Sequence, residues 1–169
     1  MRNFCIHYTP EEKDVLSQRV PFLPWTSFDL PALMDEIRQS RVPEISHKFN
    51  VFFVEQRMLA CINYHGNHAS IFLHQLFNTP HTPRIVFSMV FTHEMLHLII
   101  PPREIDGKEI KHPPEFFIKE KMLSPEYKAA WGWIILNFCG AIIRDKKREQ
   151  TLVRRRWRQL ICSPFQIHW

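Results

Sequence analysis

Apolar and polar positions divide the chain into alternating helical and extended stretches. Thr9-Pro10-Glu11-Glu12 sets a capping threonine, a first-turn proline and a capping-box glutamate in order, predicting a helix that ends near Val20, before Pro21. Residues 21–25 read as a connector with apolar anchors. Asp29 can cap a second helix with Pro31 in its first turn; Leu30, Leu33, Met34 and Ile37 then share one face, and the helix ends near Ser40. The pattern next changes to strands at 47–54, 58–64 and 69–77, joined by short polar links that predict an antiparallel meander. The run Ile85-Val86-Phe87-Ser88-Met89-Val90-Phe91 is mostly apolar, as a buried helix should be. Thr82 can cap it with Pro83 at its first position, and Pro101-Pro102 stops it. Ser124-Pro125-Glu126-Tyr127 starts a further helix leading into the most apolar stretch, 129–143. The order of elements predicts an α+β fold: N-terminal helices, a three-stranded antiparallel sheet, a central buried helix and C-terminal helices.

Composition narrows this picture. A chain of 169 residues with 45% hydrophobic content is most simply one domain, 1–169, and a mean hydropathy of −0.24 suits a water-soluble fold with a real core. A membrane-spanning helix needs about 20 apolar residues. The stretch 129–143 is shorter and contains Asn137, so a core helix beneath the central one is expected rather than a membrane segment. The N-terminus has no long apolar region of the secretory kind, and Cys5, Cys61, Cys139 and Cys162 form no Cys-x-x-Cys pair. Reduced thiols in a cytoplasmic protein are the expectation. The net charge is +5, and the excess gathers in Lys146, Lys147, Arg148, Arg154, Arg155, Arg156 and Arg158. A basic helix over 144–158 could contact DNA or another acidic partner; a solvated helix face is the plainer reading.

The buried helix carries the chemistry. Its end reads His93-Glu94-Met95-Leu96-His97, an H-E-x-x-H pattern. Residues four apart on a helix lie one turn apart on one face, so His93 and His97 can aim imidazole nitrogens at one point. Zinc accepts neutral imidazole nitrogen, and Glu94, next to the first histidine, is placed to act as general base on a water. The pattern fixes only three positions, so its helical context matters. The alternative is a pair of histidines hydrogen-bonded inside the core. A catalytic zinc site needs a third protein ligand. The segment 101–117 offers Glu104, Asp106, Glu109, His112 and Glu115. Asp106-Gly107 reads as a turn that brings the chain back. His112 is the preferred ligand because Pro113 and Pro114 suit the first turn of a new helix and would hold it rigidly. Glu115 or Glu109 is the alternative.

A helix with HExxH, a loop, and then His112-Pro113-Pro114-Glu115-Phe116 resembles the SprT-like zinc metallopeptidases over residues 45–122. The resemblance implies a zincin-like domain with that span as catalytic core and 124–160 as a C-terminal helical part with a basic end. It implies one Zn2+ per chain, held by His93, His97 and His112, and a polypeptide substrate hydrolysed with Glu94 as general base. By the same analogy a sheet edge beside the helix holds the substrate backbone, and the third strand is the expected edge. His74 on that strand and Tyr127 are candidates for substrate or oxyanion contacts. The chain lacks the C-terminal cysteine zinc ribbon of longer relatives, so an association with DNA-bound protein rests on the basic end alone. The competing reading is a regulatory or nucleic-acid-binding module with a structural metal.

Overall fold

The computed structural model describes residues 21–105, 107–145 and 150–161. The helix expected over 9–20 lies outside them, as do Lys146, Lys147 and Arg148. The first described helix, α1 (Leu30–Arg41), begins as its sequence dictates: Asp29 Oδ1 accepts from the Ala32 N–H at 3.1 Å, and Pro31 sits in the first turn. Leu30, Leu33, Met34 and Ile37 are its buried face.

Three strands follow: β1 (Lys48–Val54), β2 (Ala60–His65) and β3 (His68–His74). They do not form the expected antiparallel meander. The order is β1-β3-β2, with β1 parallel to β3 (Val51 opposite Ile71) and β2 antiparallel to it (Ile62 opposite Ile71). Only the second link is a tight hairpin turn, with Gly66 at φ 55°. The first link, 55–59, crosses the end of β3, where Leu59 O accepts from the His74 N–H at 2.8 Å. Crossing two strand spacings requires about 9.6 Å, well within the roughly 17 Å that five residues can reach. β3, which thereby takes the centre, is the strand with the longest buried run, covered on both faces. β3 also ends sooner than expected. His74 Nδ1 accepts from the Leu76 N–H at 2.8 Å and turns Gln75–Phe77 into a single 3₁₀ turn.

Helix α2 (Arg84–Leu96) lies against α1, β2 and the later helix α4 (Tyr127–Phe138), and it is buried nearly all round. Its start is displaced by one residue from expectation. Pro83 takes the cap position, because Thr82 is drawn inward: its hydroxyl donates to Phe77 O at 2.8 Å. The helix ends at Leu96, with His97 still in helical conformation, before the two prolines. A short hairpin, β4 (Arg103–Ile105) and β5 (Lys108–Ile110), turns at Gly107 with φ 71°. It delivers the chain to α3 (Pro114–Leu123), with Pro113 at the cap and Pro114 at the first position.

The apolar stretch 129–143 is not one helix. α4 stops at Phe138, and the β-branched pair Ile142-Ile143 begins a hairpin of β6 (Ile142–Asp145) and β7 (Gln150–Val153). The Val153 N–H donates to Arg57 O at 2.6 Å, tying this hairpin to the link that follows β1, and the Arg154 N–H donates to Ala141 O at 2.8 Å, closing the hairpin's open end. One helical turn, α5 (Trp157–Leu160), closes the described chain; Trp157 is buried and its Nε1–H donates to Glu55 at 2.8 Å. The C-terminal part is therefore a helix, a β-hairpin and one turn, not the basic helix expected over 144–158. Among the described residues no helix is long and apolar enough to cross a membrane. The architecture is mixed α+β, with α2 at its centre.

Candidate metal centre

His93 lies in the last turn of α2 and His97 one turn later at its cap, with ring centroids 5.2 Å apart. His112 enters from the β5–α3 junction. Its Nε2 is 3.2 Å from Nε2 of His93 and 3.2 Å from Nε2 of His97. These are the one such grouping of possible metal ligands among the described residues. Phe116, one turn into α3, is fully buried and has all three imidazoles around it at centroid distances of 4.8–5.0 Å.

The hydrogen bonding leaves this cluster short of protons. Glu120, 2% exposed in its side chain, places Oε1 2.7 Å from His93 Nδ1. With Nδ1–H donating to that carboxylate, a neutral His93 presents a bare lone pair at Nε2. Burial, followed by the His93 charge, lowers the His97 pKa to about 3. Burial, then His93, Arg144 and Lys111, lowers that of His112 to about 4. Burial also pulls His93 down, but the Glu120 hydrogen bond and the Glu94 and Glu120 charges outweigh it and raise its pKa. Imidazole nitrogens facing one another at this distance can share either a proton, as an N–H···N hydrogen bond, or a metal cation. With zinc–nitrogen distances of about 2.0–2.1 Å, two ligands of a tetrahedral ion stand roughly 3.3 Å apart. The two 3.2 Å separations made by His112 match that edge, and the three histidines are close enough together to hold a metal ion.

Glu94 is 4% exposed, and burial raises its pKa to about 7, with the His93 charge opposing and the Glu120 charge adding. It lines, with the three histidines, a cavity of about 220 Å³. β2 forms one wall through Ala60, Cys61 and Ile62, α4 another through Tyr127, Trp131 and Ile134, and the β6–β7 hairpin a third through Arg144 and Thr151. The helix expected to pack beneath the site, α4, instead forms one wall of the cavity.

The substrate edge strand and one site residue, His74, fall differently from expectation. β3 is paired on both sides, so the edge strand beside the cavity is β2. His74 is fully buried, bonded to the Leu76 N–H and edge-on to Trp157 at 5.1 Å. It is a core histidine outside the cavity lining, and it cannot reach a substrate there. Tyr127 does line the cavity, and burial, followed by the Glu120 charge, raises its pKa. Glu115 is occupied by an ion pair with Arg103 at 2.6 Å, and Glu109 is an exposed strand residue opposite Glu104, so neither alternative ligand joins the histidines. Arg154, Arg155 and Arg156 are exposed in a turn, whereas Arg158 pairs with Glu55 at 2.8 Å.

Sequence reasoning missed Glu120 and Arg41. Glu120 could have been found: it is four residues after Phe116, on the same face of α3. Arg41 had no local signal, because its partners Thr92 and Glu126 are remote in sequence. No protein-family model, curated protein or solved structure matches the chain.

Proposed function

We propose that this is a mononuclear zinc hydrolase, and more particularly a peptidase of the SprT-like, zincin kind. The observation that carries the reading is the convergence of three imidazole Nε2 atoms beside a buried glutamate on the floor of an open cavity. His93, His97 and His112 would hold the ion. Zinc so held supplies Lewis acidity, acidifying water and polarising a carbonyl at the site.

The chain's own groups do the rest. Glu94 takes the proton of the attacking water on its carboxylate and returns it to the nitrogen of the leaving amine. Its poise near pH 7 suits both transfers. Tyr127, at the start of α4, is the side chain placed to donate to the carbonyl oxygen as charge develops there. The apolar walls from Ile62, Trp131 and Ile134 keep the site dry enough for these dipoles to count. An extended peptide would lie along β2, the strand that flanks the cavity.

The test is zinc per chain by elemental analysis, for the parent and for His112→Ala, each checked for folding, followed by peptide hydrolysis with the parent and Glu94→Gln. One zinc in the parent, lost in His112→Ala, with turnover reduced by about 10²–10⁴ in Glu94→Gln, supports the reading. A parent that takes no zinc, or unchanged hydrolysis in Glu94→Gln, overturns it. Contact with DNA or DNA-bound protein is a separate proposal, resting on the exposed Arg154-Arg155-Arg156 turn. Binding that does not weaken as salt rises would remove it.

A further inference from the structure

The cavity beside the three histidines carries an unbalanced charge. Arg144 on β6 stands directly opposite Thr151 on β7. Directly paired residues share a face of the hairpin, and both of these line the cavity. Lys111, at the end of the β4–β5 hairpin next to His112, lines it too. The charges of both cations reach His112; that of Arg144 also reaches Tyr127, and that of Lys111 also reaches His97. Among the described residues neither has a carboxylate within ion-pair distance. The acids in the lining are committed elsewhere: Glu120 to the His93 ring, and Glu94 to its buried place beside the histidines. Much of the remaining wall is apolar, which strengthens the field of the two cations within it.

We propose that Arg144, assisted by Lys111, forms a carboxylate-recognising subsite next to the metal centre, so that the preferred substrate presents an anionic group within the cavity, beside the bond to be cleaved. This rests on the hydrolytic reading above and deepens it. The carboxylate has two sources, an acidic side chain or a free chain terminus. A cationic side chain at the same place meets Arg144 and Lys111 and is disfavoured. Because Arg144 and Lys111 are both exposed at the cavity rim, the preference is of the modest size that solvated ion pairs show.

The experiment measures binding to the zinc-loaded protein, independent of turnover. Three short peptide hydroxamates differ only beside the hydroxamate: glutamate as the amide, glutamine as the amide, and glutamine with a free C-terminal carboxylate. One of the two carboxylate ligands is expected to bind about fivefold more tightly than the neutral one at low salt, and its identity assigns the source. The advantage shrinks at 1 M salt. It is lost in Arg144→Gln, kept in Arg144→Lys, and turned towards a lysine-bearing ligand in Arg144→Glu, with zinc content and melting checked in each. Equal binding of all three ligands by the parent overturns the subsite. So does an advantage that survives both Arg144→Gln and Lys111→Gln. Failure of every hydroxamate to bind the zinc-loaded protein overturns the peptidase site itself, a result distinct from either.

Discussion

Glu120 Oε1 lies 2.7 Å from His93 Nδ1, and this one contact determines which nitrogen of the ring faces the other two histidines. The carboxylate is buried on α3, the imidazole on α2, and the bond joins the two helices at the site. It holds the Nδ1–H tautomer, directs the Nε2 lone pair inward and makes the ring more basic towards a cation. It also places two carboxylates, Glu94 and Glu120, near His93, which together favour positive charge there.

Replacing Glu120 with Gln should therefore weaken zinc binding while leaving the fold in place. The amide is isosteric and can still accept from Nδ1–H, but it has no charge. A loss of about 10- to 100-fold in zinc affinity is expected, read by competition with a chromophoric chelator. Affinity equal to that of the parent would show that the contact only supports packing.

How legible this site was depends on the range of each interaction. His93, Glu94 and His97 are a local pattern on one helix face, readable from spacing alone. His112 was legible because prolines announce the helix it precedes. The capping of α1 by Asp29 is likewise local and was read correctly. What failed was non-local. The alternation of residues 47–77 marks three strands but does not say which pair, and the position of β3 at the centre depends on the 55–59 link crossing it. That assignment moved the edge strand from β3 to β2 and buried His74. In the apolar run 129–143 the local sign of the break at Phe138 is Gly140, just past the helix end, but the unbroken hydrophobicity around it hides the stop, and Ile142 and Ile143 declare a strand only once the hairpin pairs them.

Phe116 should be as important as a ligand for the geometry of the centre. Its ring touches all three imidazoles and is fully buried, so Phe116→Ala leaves a void directly beneath them. A destabilisation of about 3–5 kcal/mol is expected by chemical denaturation. Phe116→Leu should cost less and keep zinc, because it refills most of the volume. Loss of zinc in the leucine variant despite a stable fold would show that the aromatic edge itself, not the filled space, orients the rings.

Arg41 ties the centre to its surroundings from the end of α1. Its guanidinium donates to Thr92 Oγ1 at 3.0 Å and to both oxygens of Glu126, at 2.6 and 3.2 Å. Thr92 precedes His93 and Glu126 precedes Tyr127, so one side chain sets α2 against α4. The pair is mostly but not wholly shielded, with side-chain exposures of 20% and 12%. Arg41→Met should destabilise by about 2–3 kcal/mol, below the range for a fully buried pair, because it strands the Glu126 charge. The double variant with Glu126→Gln should recover part of that loss. A double-mutant cycle with no coupling would show that the two groups act independently.

His74 makes the pH dependence of folding partly predictable. Burial lowers its pKa from 6.5 to about 4; the Glu55 charge and a Gln56 backbone bond oppose that, and the Arg158 charge adds to it. The unfolded chain, with the ordinary value, binds more protons than the folded one between those limits. Stability therefore rises with pH across that window. The contribution of a neutral, buried His74 is fully present above pH 6.5 and is lost as the pH falls from there to about 4. At about 1.4 kcal/mol per unit, the swing is of order 3 kcal/mol. If the histidines hold zinc as proposed, its loss in acid would act in the same direction and must be separated from it. The comparison is thus between the parent and His74→Gln, denatured in parallel at pH 7.5, 6, 5 and 4 with zinc content followed. His74→Gln should cost most at pH 7.5, where the parent keeps the Leu76 bond and an uncharged ring, and the gap should close steadily towards pH 4. A gap that stays constant would mean that His74 remains as easily protonated in the fold as in the open chain, and that the acid sensitivity belongs to the metal ligands.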